Sequence, residues 1–192
     1  LKGIASALFF FAHFLKEAGI LDLAFRGVFS TGELLLPVQR RLIEEVFHAK
    51  VYDSYGHMER TVAVSECPAG GLHVNLEYGV MELQDKRATA PDPSGASAAR
   101  RFTGHVVGTT LHNRSMPLLR YAVGDRVEVE EPSRPCPCGR NLPLIRRLNG
   151  RQEDVIITPD GRVVTTLFTL FEHVPGVALG QILQEDLRRL VV

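Results

Sequence analysis

The sequence has no tryptophan, only three cysteines and no surplus of charge of either sign. Twenty-two Lys and Arg face 22 Asp and Glu, so the formal net charge is zero. That balance argues against a nucleic-acid partner held through its phosphates, which needs a basic face. No internal repeat is visible. Long apolar runs are missing too. The most apolar stretch, residues 7–14, is interrupted by His13 and followed by Lys16 and Glu17. It is too short to cross a bilayer, and no basic segment precedes it as in a signal peptide. No membrane partner is expected, and the cytoplasm is the expected compartment. An odd number of cysteines leaves no fully paired disulfide framework. The first residue is Leu rather than Met, which suggests a chain cut from something larger.

What is present is enough for a core. The chain has 192 residues, 45% of them hydrophobic, the size of one domain or one and a half. Residues 4–18 read as a helix, with Ile4, Ala7, Leu8, Phe11, Phe14 and Leu15 on one face and Gly19 as its stop. Residues 24–30 read as a strand and Thr31-Gly32-Glu33 as a turn. Pro37 opens a second helix, where its missing N–H costs nothing; this helix runs to about Ala49. Strand 51–53 follows and breaks at Tyr55-Gly56. Strand, helix, strand implies a parallel pair with a crossover. Beyond Arg60 the texture becomes antiparallel β, with strands at 61–65, 72–76, 79–84, 105–111, 118–123 and 126–130. Residues 85–104, rich in Pro, Ser and Ala, read as a flexible loop. Strands 154–158 and 162–164 flank Pro159-Asp160-Gly161 as a hairpin. Residues 165–173 read as a helix and 177–184 as a strand.

Val51-Tyr52-Asp53-Ser54-Tyr55-Gly56-His57-Met58-Glu59-Arg60 is the stretch around which function is read. A strand end, a glycine and a carboxylate mark the place where an open α/β sheet binds its ligand. Alone, Tyr55-Gly56 also reads as an ordinary turn, Gly124-Asp125 as a hairpin turn, and Glu59-Arg60 as a solvated charge pair. Together with Ser30-Thr31-Gly32-Glu33-Leu34, Pro117-Leu118-Leu119-Arg120-Tyr121-Ala122-Val123-Gly124-Asp125 and Gly150-Arg151-Gln152-Glu153-Asp154, their order resembles the adenylate-forming superfamily. Within it the chain is most similar to the phenylacetate–CoA ligase branch, in the variant of capsular-polysaccharide gene clusters. Glu66-Cys67, His73 and Cys136-Pro137-Cys138-Gly139-Arg140 belong to that likeness.

The resemblance implies an α/β fold: the later part of a large adenylating domain over residues 1–150, with a parallel αβ segment and a β-rich part. A hinge and the start of a small α+β domain follow over 151–192. It implies that a carboxylic acid attacks ATP to form an acyl-adenylate, and that the acyl group passes to coenzyme A. Gly32, Glu33 and Leu34 would lie against adenine, Tyr55 with Gly56 would stack on the base, and Asp53 would accept from its amine. Glu59 would hold Mg²⁺. Asp125 would accept both ribose hydroxyls, with Arg151 beside them. Glu153 would be the hinge between half-reactions. Met58 and Leu34 depart from the usual Thr and Pro. The phosphate loop and the C-terminal lysine of the family are not in the sequence, so the chain alone is expected not to adenylate at a useful rate. A complementing N-terminal half, or a homodimer, would be the corresponding partner.

The cysteines form a second constellation. Cys67, His73, Cys136 and Cys138 make a Cys₃His set suited to a closed tetrahedral Zn²⁺. Three reduced thiols beside a strand histidine is the alternative. A non-catalytic, zinc-stabilised remnant or a nucleotide- or partner-binding module is the second functional reading.

Overall fold

The structure is a computed structural model. It describes residues 1–89, 100–131, 135–151, 156–161, 163–164 and 181–192. The expected helix 165–173, the hinge residue Glu153, and the first part of strand 177–184 lie outside the described residues.

The chain opens with β1 (Lys2–Ile4) and turns into α1 (Ala5–Glu17). It continues through β2 (Val28–Thr31), α2 (Pro37–Phe47) and β3 (Val51–Gly56). These three strands are parallel, in the order β1-β2-β3. The expected strand–helix–strand unit is therefore present, although its first strand begins at Val28 rather than Ala24. Pro37 stands at the start of α2, and the Gln39 side chain accepts the Leu36 backbone N–H at 3.0 Å.

The buried stripe of α1 differs from the expected one. Ala5, Leu8, Phe9, Ala12 and Leu15 are buried, while Ile4, Phe11 and Phe14 are exposed. Residues 7–12 of the helix carry no polar side chain, so this stretch alone does not mark which side is buried. The two alanines, both fully buried, let the helix approach the sheet closely. Leu8, Phe9, Ala12 and Leu15 then join Val28, Ile43, Val46, Phe47 and Val51 in one core.

β4 (Ala63–Glu66), β5 (Leu72–Val74) and β9 (Leu144–Ile145) extend the same sheet antiparallel, giving β1-β2-β3-β4-β5-β9. A second, four-stranded sheet has the order β10-β8-β7-β6, from β6 (Gly79–Ala88), β7 (Arg100–Thr110), β8 (Tyr121–Glu131) and β10 (Arg147–Arg151). Val62, Val64, Val74, Val106, Val123, Val127 and Ile145 form the core between the sheets. β11 (Ile156–Ile157) with β12 (Val163–Val164) is the expected hairpin around Pro159-Asp160-Gly161. β13 (Leu183–Asp186) and β14 (Arg189–Val191) make another.

Three boundaries are corrected. β3 does not break at Tyr55 but runs through Gly56, because Tyr55 and Gly56 pair with Val64 and Ala63 of β4. The expected loop 85–104 is mostly strand among its described residues: β6 reaches Ala88 and β7 begins at Arg100, paired across Arg87–Thr103 and Ala88–Phe102. Its polar composition belongs to an exposed ribbon. The expected strands 118–123 and 126–130 join in one strand, β8, which begins only at Tyr121. Gly124, at φ +86°, is not a turn but part of a bulge. His105 pairs with Arg126 and Val107 with Ala122, so Val123, Gly124 and Asp125 together oppose Val106.

Candidate functional site: the junction of the two sheets

The C-terminal ends of the parallel strands meet the bulge of β8. Tyr55, near the end of β3, donates its hydroxyl to Asp125 Oδ2 at 2.7 Å. Tyr121, at the start of β8, donates to Glu59 Oε1 at 3.2 Å. Each sheet therefore gives a tyrosine to the other sheet's carboxylate. The residues in these pairs are 70 and 62 positions apart in the chain. The bulge is what turns Asp125 toward Tyr55, since an unbulged strand would alternate regularly through 123–125. A second irregularity, at Leu148/Gly150 in β10, brings Arg151 into register with Asp125.

Behind Glu59 stands a relay. His57 Nδ1 lies 3.2 Å from Glu59 Oε2, and Thr61 Oγ1 lies 3.0 Å from His57 Nε2. A tautomer with the proton on Nδ1 donates to Glu59 and accepts from the Thr61 hydroxyl. The Glu59 carboxyl is held below the usual carboxylate range. Its own backbone N–H is the largest cause, with the Tyr121 hydroxyl and His57 adding to it against a smaller opposing effect of burial.

No family model matches the sequence. It is 25% identical to protein CapK of Staphylococcus aureus over 197 residues, covering all of this chain and 40% of CapK. It is 30% identical to the phenylacetate-coenzyme A ligase of Thermus thermophilus over 122 residues, covering 62% of this chain and 26% of the ligase. An open conformation of 2-hydroxyisobutyryl-CoA ligase, solved in complex with 2-HIB-AMP and CoA, matches with a TM-score of 0.58 at 25% identity. That match covers 85% of this chain and 38% of the ligase. The chain spans less than half the length of each of these proteins. These likenesses support a part of an adenylate-forming enzyme. No helix among the described residues is long and apolar enough to cross a membrane.

Several residues singled out by the superfamily resemblance converge, and others are committed elsewhere. Tyr55, Glu59 and Asp125 meet at the junction. Gly32 and Leu34 follow β2 directly, with Gly32 at φ +82°. Glu33 is engaged differently from expectation: its Oε2 accepts the backbone N–H of Ser6 at 2.8 Å, which caps the first turn of α1. Asp53 is buried, with Ser54 N–H donating to its Oδ1 at 3.0 Å. Burial pushes its carboxyl up and is the largest influence, opposed by the Ser30 hydroxyl, Arg40 and the Ser54 N–H. Met58 is 92% exposed at the tip of the turn. Glu66 ties α2 to β3, accepting from Arg40 Nη2 at 2.6 Å and from the Asp53 N–H at 2.8 Å.

The four zinc-candidate residues also come together, although two lie far along the chain from the others. Their donor atoms all lie within 4.8 Å of one another. Burial is the largest influence on the Cys67 thiol and opposes its ionisation. Hydrogen bonds from the Gly71 N–H, from Cys136, from His73 and from the Ala69 N–H outweigh it and bring the thiol down to about 6. Cys136 is pushed up: the Cys138 N–H, its largest influence, lowers it, but burial and the sulfurs of Cys138 and Cys67 prevail.

Four contributors were missed in the sequence. Thr61 was read only as the start of a strand. Gly79 and Gly108, which leave room for it, carry no local signal, because the reason for them is on another sheet. Gly71 was detectable from the Gly-Gly pair beside Cys67.

Proposed function

We propose that this chain forms the nucleotide-binding face of a carboxylate-activating ligase. In that reaction a carboxylic acid attacks the α-phosphate of ATP, giving an acyl-adenylate and pyrophosphate. The acyl group then passes to the thiol of coenzyme A. The phenylacetate–CoA ligase branch is the nearest functional type, with capsular-polysaccharide synthesis as context and the cytoplasm as compartment. The observation that carries the reading is the pair of reciprocal tyrosine–carboxylate bonds, which gather superfamily positions from two separate stretches at one sheet junction.

In this reading the two Asp125 oxygens accept the ribose hydroxyls, with Arg151 beside them. The ring of Tyr55 lies along the base, and the backbone of Gly32 and Leu34 lines its edge. Asp53 and Glu33 support this from behind, because their carboxylates are taken by β3 and α1. The Glu59 side chain is about one-third exposed (35%) and held ionised, so its oxygens fit a hard cation such as Mg²⁺. When bound, Mg²⁺ would neutralise phosphate charge; Tyr121 and His57 aim the carboxylate for it. The hinge to the small domain falls at 150/151, with Glu153 as pivot.

Arg40 is tied to Glu66. In this reading a complementing N-terminal half, or a second copy, adds cations for the phosphates. That favours a second reading, a module that binds nucleotide without turnover. Titration calorimetry with AMP, and with ATP plus Mg²⁺, tests the first step. Binding weakened about tenfold or more by Asp125→Asn is expected, as for loss of a charge-assisted hydrogen bond. No heat with either nucleotide at millimolar concentration overturns it. Pyrophosphate exchange then separates the two readings: turnover by the chain, alone or with an added N-terminal half, supports the ligase, and binding without exchange the module.

A further inference from the structure

Two loops of this chain are built alike. Cys67-Pro68-Ala69-Gly70 leaves β4, and Cys136-Pro137-Cys138-Gly139 precedes β9. Both read Cys-Pro-x-Gly. In each, the glycine N–H donates to the cysteine carbonyl three residues back, at 2.8 Å for Gly70 and 3.0 Å for Gly139. In each, that glycine has a left-handed φ, +83° and +79°. Proline presets the second position of such a turn, and glycine takes the last without strain.

Both turns aim backbone N–H groups at sulfur. Gly71 N–H donates to Cys67 Sγ at 3.2 Å, and Arg140 N–H to Cys138 Sγ at 3.5 Å. A sulfur that accepts such bonds is favoured as thiolate, the form that ligates metal.

The loops face one another. Cys67 Sγ lies 3.5 Å from Cys136 Sγ, and Cys138 Sγ lies 3.3 Å from His73 Nε2. A tetrahedral zinc with Zn–S of about 2.3 Å and Zn–N of about 2.0 Å has S···S edges of about 3.8 Å and S···N edges of about 3.5 Å. The two contacts are within a few tenths of an ångström of those edges. They are far from the S–S bond length of about 2.05 Å, and all three cysteines are free. The His73 Nδ1 lies 3.4 Å from the Leu142 carbonyl. With the proton on Nδ1, Nε2 presents a lone pair to the sulfurs, the usual support of a ligating histidine. The cluster closes over bare backbone at Gly71, where a Cβ would stand 2.9 Å from Cys136 Sγ and 3.3 Å from His73 Nε2.

We propose that Cys67, His73, Cys136 and Cys138 bind one Zn²⁺ in a closed structural site. The three thiols give up their protons on binding, and the histidine ligates as neutral imidazole. Cys67 and His73 belong to the six-stranded sheet. Cys136 and Cys138 begin the segment that runs through β9 into β10, where it pairs with β8 beside Asp125. The ion thus fastens the crossing between the sheets. The site stands independently of nucleotide binding.

The test is metal analysis of the chain purified with reductant and without chelator. One zinc per chain is expected, falling well below one in Cys136→Ser and Cys138→Ser. Should those variants fail to fold, Co²⁺ titration of the reduced, metal-free parent decides. Intense visible bands of a tetrahedral thiolate site saturating at one equivalent support the proposal. Sub-stoichiometric zinc together with no such spectrum overturns it. So does a thiol count of one in the absence of reductant, which means a Cys–Cys bond instead of a metal.

Discussion

Thr61 is fully buried and wedged against the backbone of β6 and β7. A Cβ at Gly108 would lie 1.9 Å from Thr61 Oγ1 and 2.6 Å from its Cβ; one at Gly79 would lie 1.9 Å from the Thr61 carbonyl oxygen. Neither glycine has a left-handed φ, so alanine fits the local backbone and the cost is space alone. Overpacking a tight site costs about 1–3 kcal/mol, or more where the backbone cannot yield. Alanine returns about 0.4–1 kcal/mol by stiffening the unfolded chain. Gly108→Ala, which meets a side chain, is therefore expected to cost about 2 kcal/mol. Gly79→Ala, which meets a carbonyl, should cost about 3 kcal/mol or more, by the same reckoning. The assay is urea unfolding followed by far-UV circular dichroism, since the chain has no tryptophan. With a slope of about 2 kcal/mol per molar urea, the first change moves the midpoint by about 1 M. The decisive measurement is the double-mutant cycle. Thr61→Gly should recover part of the Gly108→Ala loss and none of the Gly79→Ala loss, because the carbonyl remains. If both alanine variants unfold within about 0.5 kcal/mol of the parent, as surface changes do, the wedge does not exist.

Three further outcomes follow from the junction. Tyr121→Phe removes a hydrogen bond that lowers the Glu59 pKa, so carboxyl-resolved NMR should show it rise. A depressed folded pKa supplies stability above the unfolded value that is lost as pH falls through the folded one, and Tyr121→Phe should flatten that acid dependence. Asp53 has the opposite sign. Its raised folded pKa means its contribution is complete at low pH and lost as pH rises through the folded value. Asp53→Asn should therefore gain thermal stability against the parent at neutral pH, with the gap narrowing on acidification. Glu33→Ala uncaps α1 and should cost about 1 kcal/mol in urea unfolding.

The parallel unit was legible because strand, Pro37-led helix and strand each carry their own periodicity. The choice of face in α1 was not, since five apolar side chains in a row, residues 8–12, do not mark one side, and the face taken carries Ala5 and Ala12. The turn reading of Gly124-Asp125 failed for a related reason. A glycine at positive φ looks the same in sequence whether it ends a strand or bulges it, and only the register with β7 distinguishes the two. The candidate site was legible as residue types and order, but that Tyr55 would meet Asp125, and Tyr121 meet Glu59, was not, since each pair joins two sheets. The Ser6 N–H that Glu33 accepts could not be read from the sequence, because it is contributed by a helix 27 residues away. The cysteine set was visible as composition. That its halves repeat one turn became visible only when their hydrogen bonds could be compared.

The two tyrosines raise the question of what a nucleotide would meet at Asp125. If the ribose had to displace Tyr55, it would lose a charge-assisted hydrogen bond worth about 1.5–3 kcal/mol. A carboxylate offers about four lone-pair sites, so it can accept from more than one donor, the 2.7 Å bond from Tyr55 being one. In the alternative case the ribose joins the tyrosine rather than replacing it. The tyrosine bond then holds Asp125 in the orientation the sugar needs, and the side chain is ordered before the ligand arrives. The two cases differ in sign. Under joint acceptance Tyr55→Phe removes one of the bonds that orient Asp125 and weakens AMP binding several-fold, whereas under displacement it removes a competitor and tightens it. Calorimetry on the Phe variant reads the sign directly. Tighter binding would mean that the reciprocal tyrosine–carboxylate pairs compete with the nucleotide and do not belong to the site that receives it.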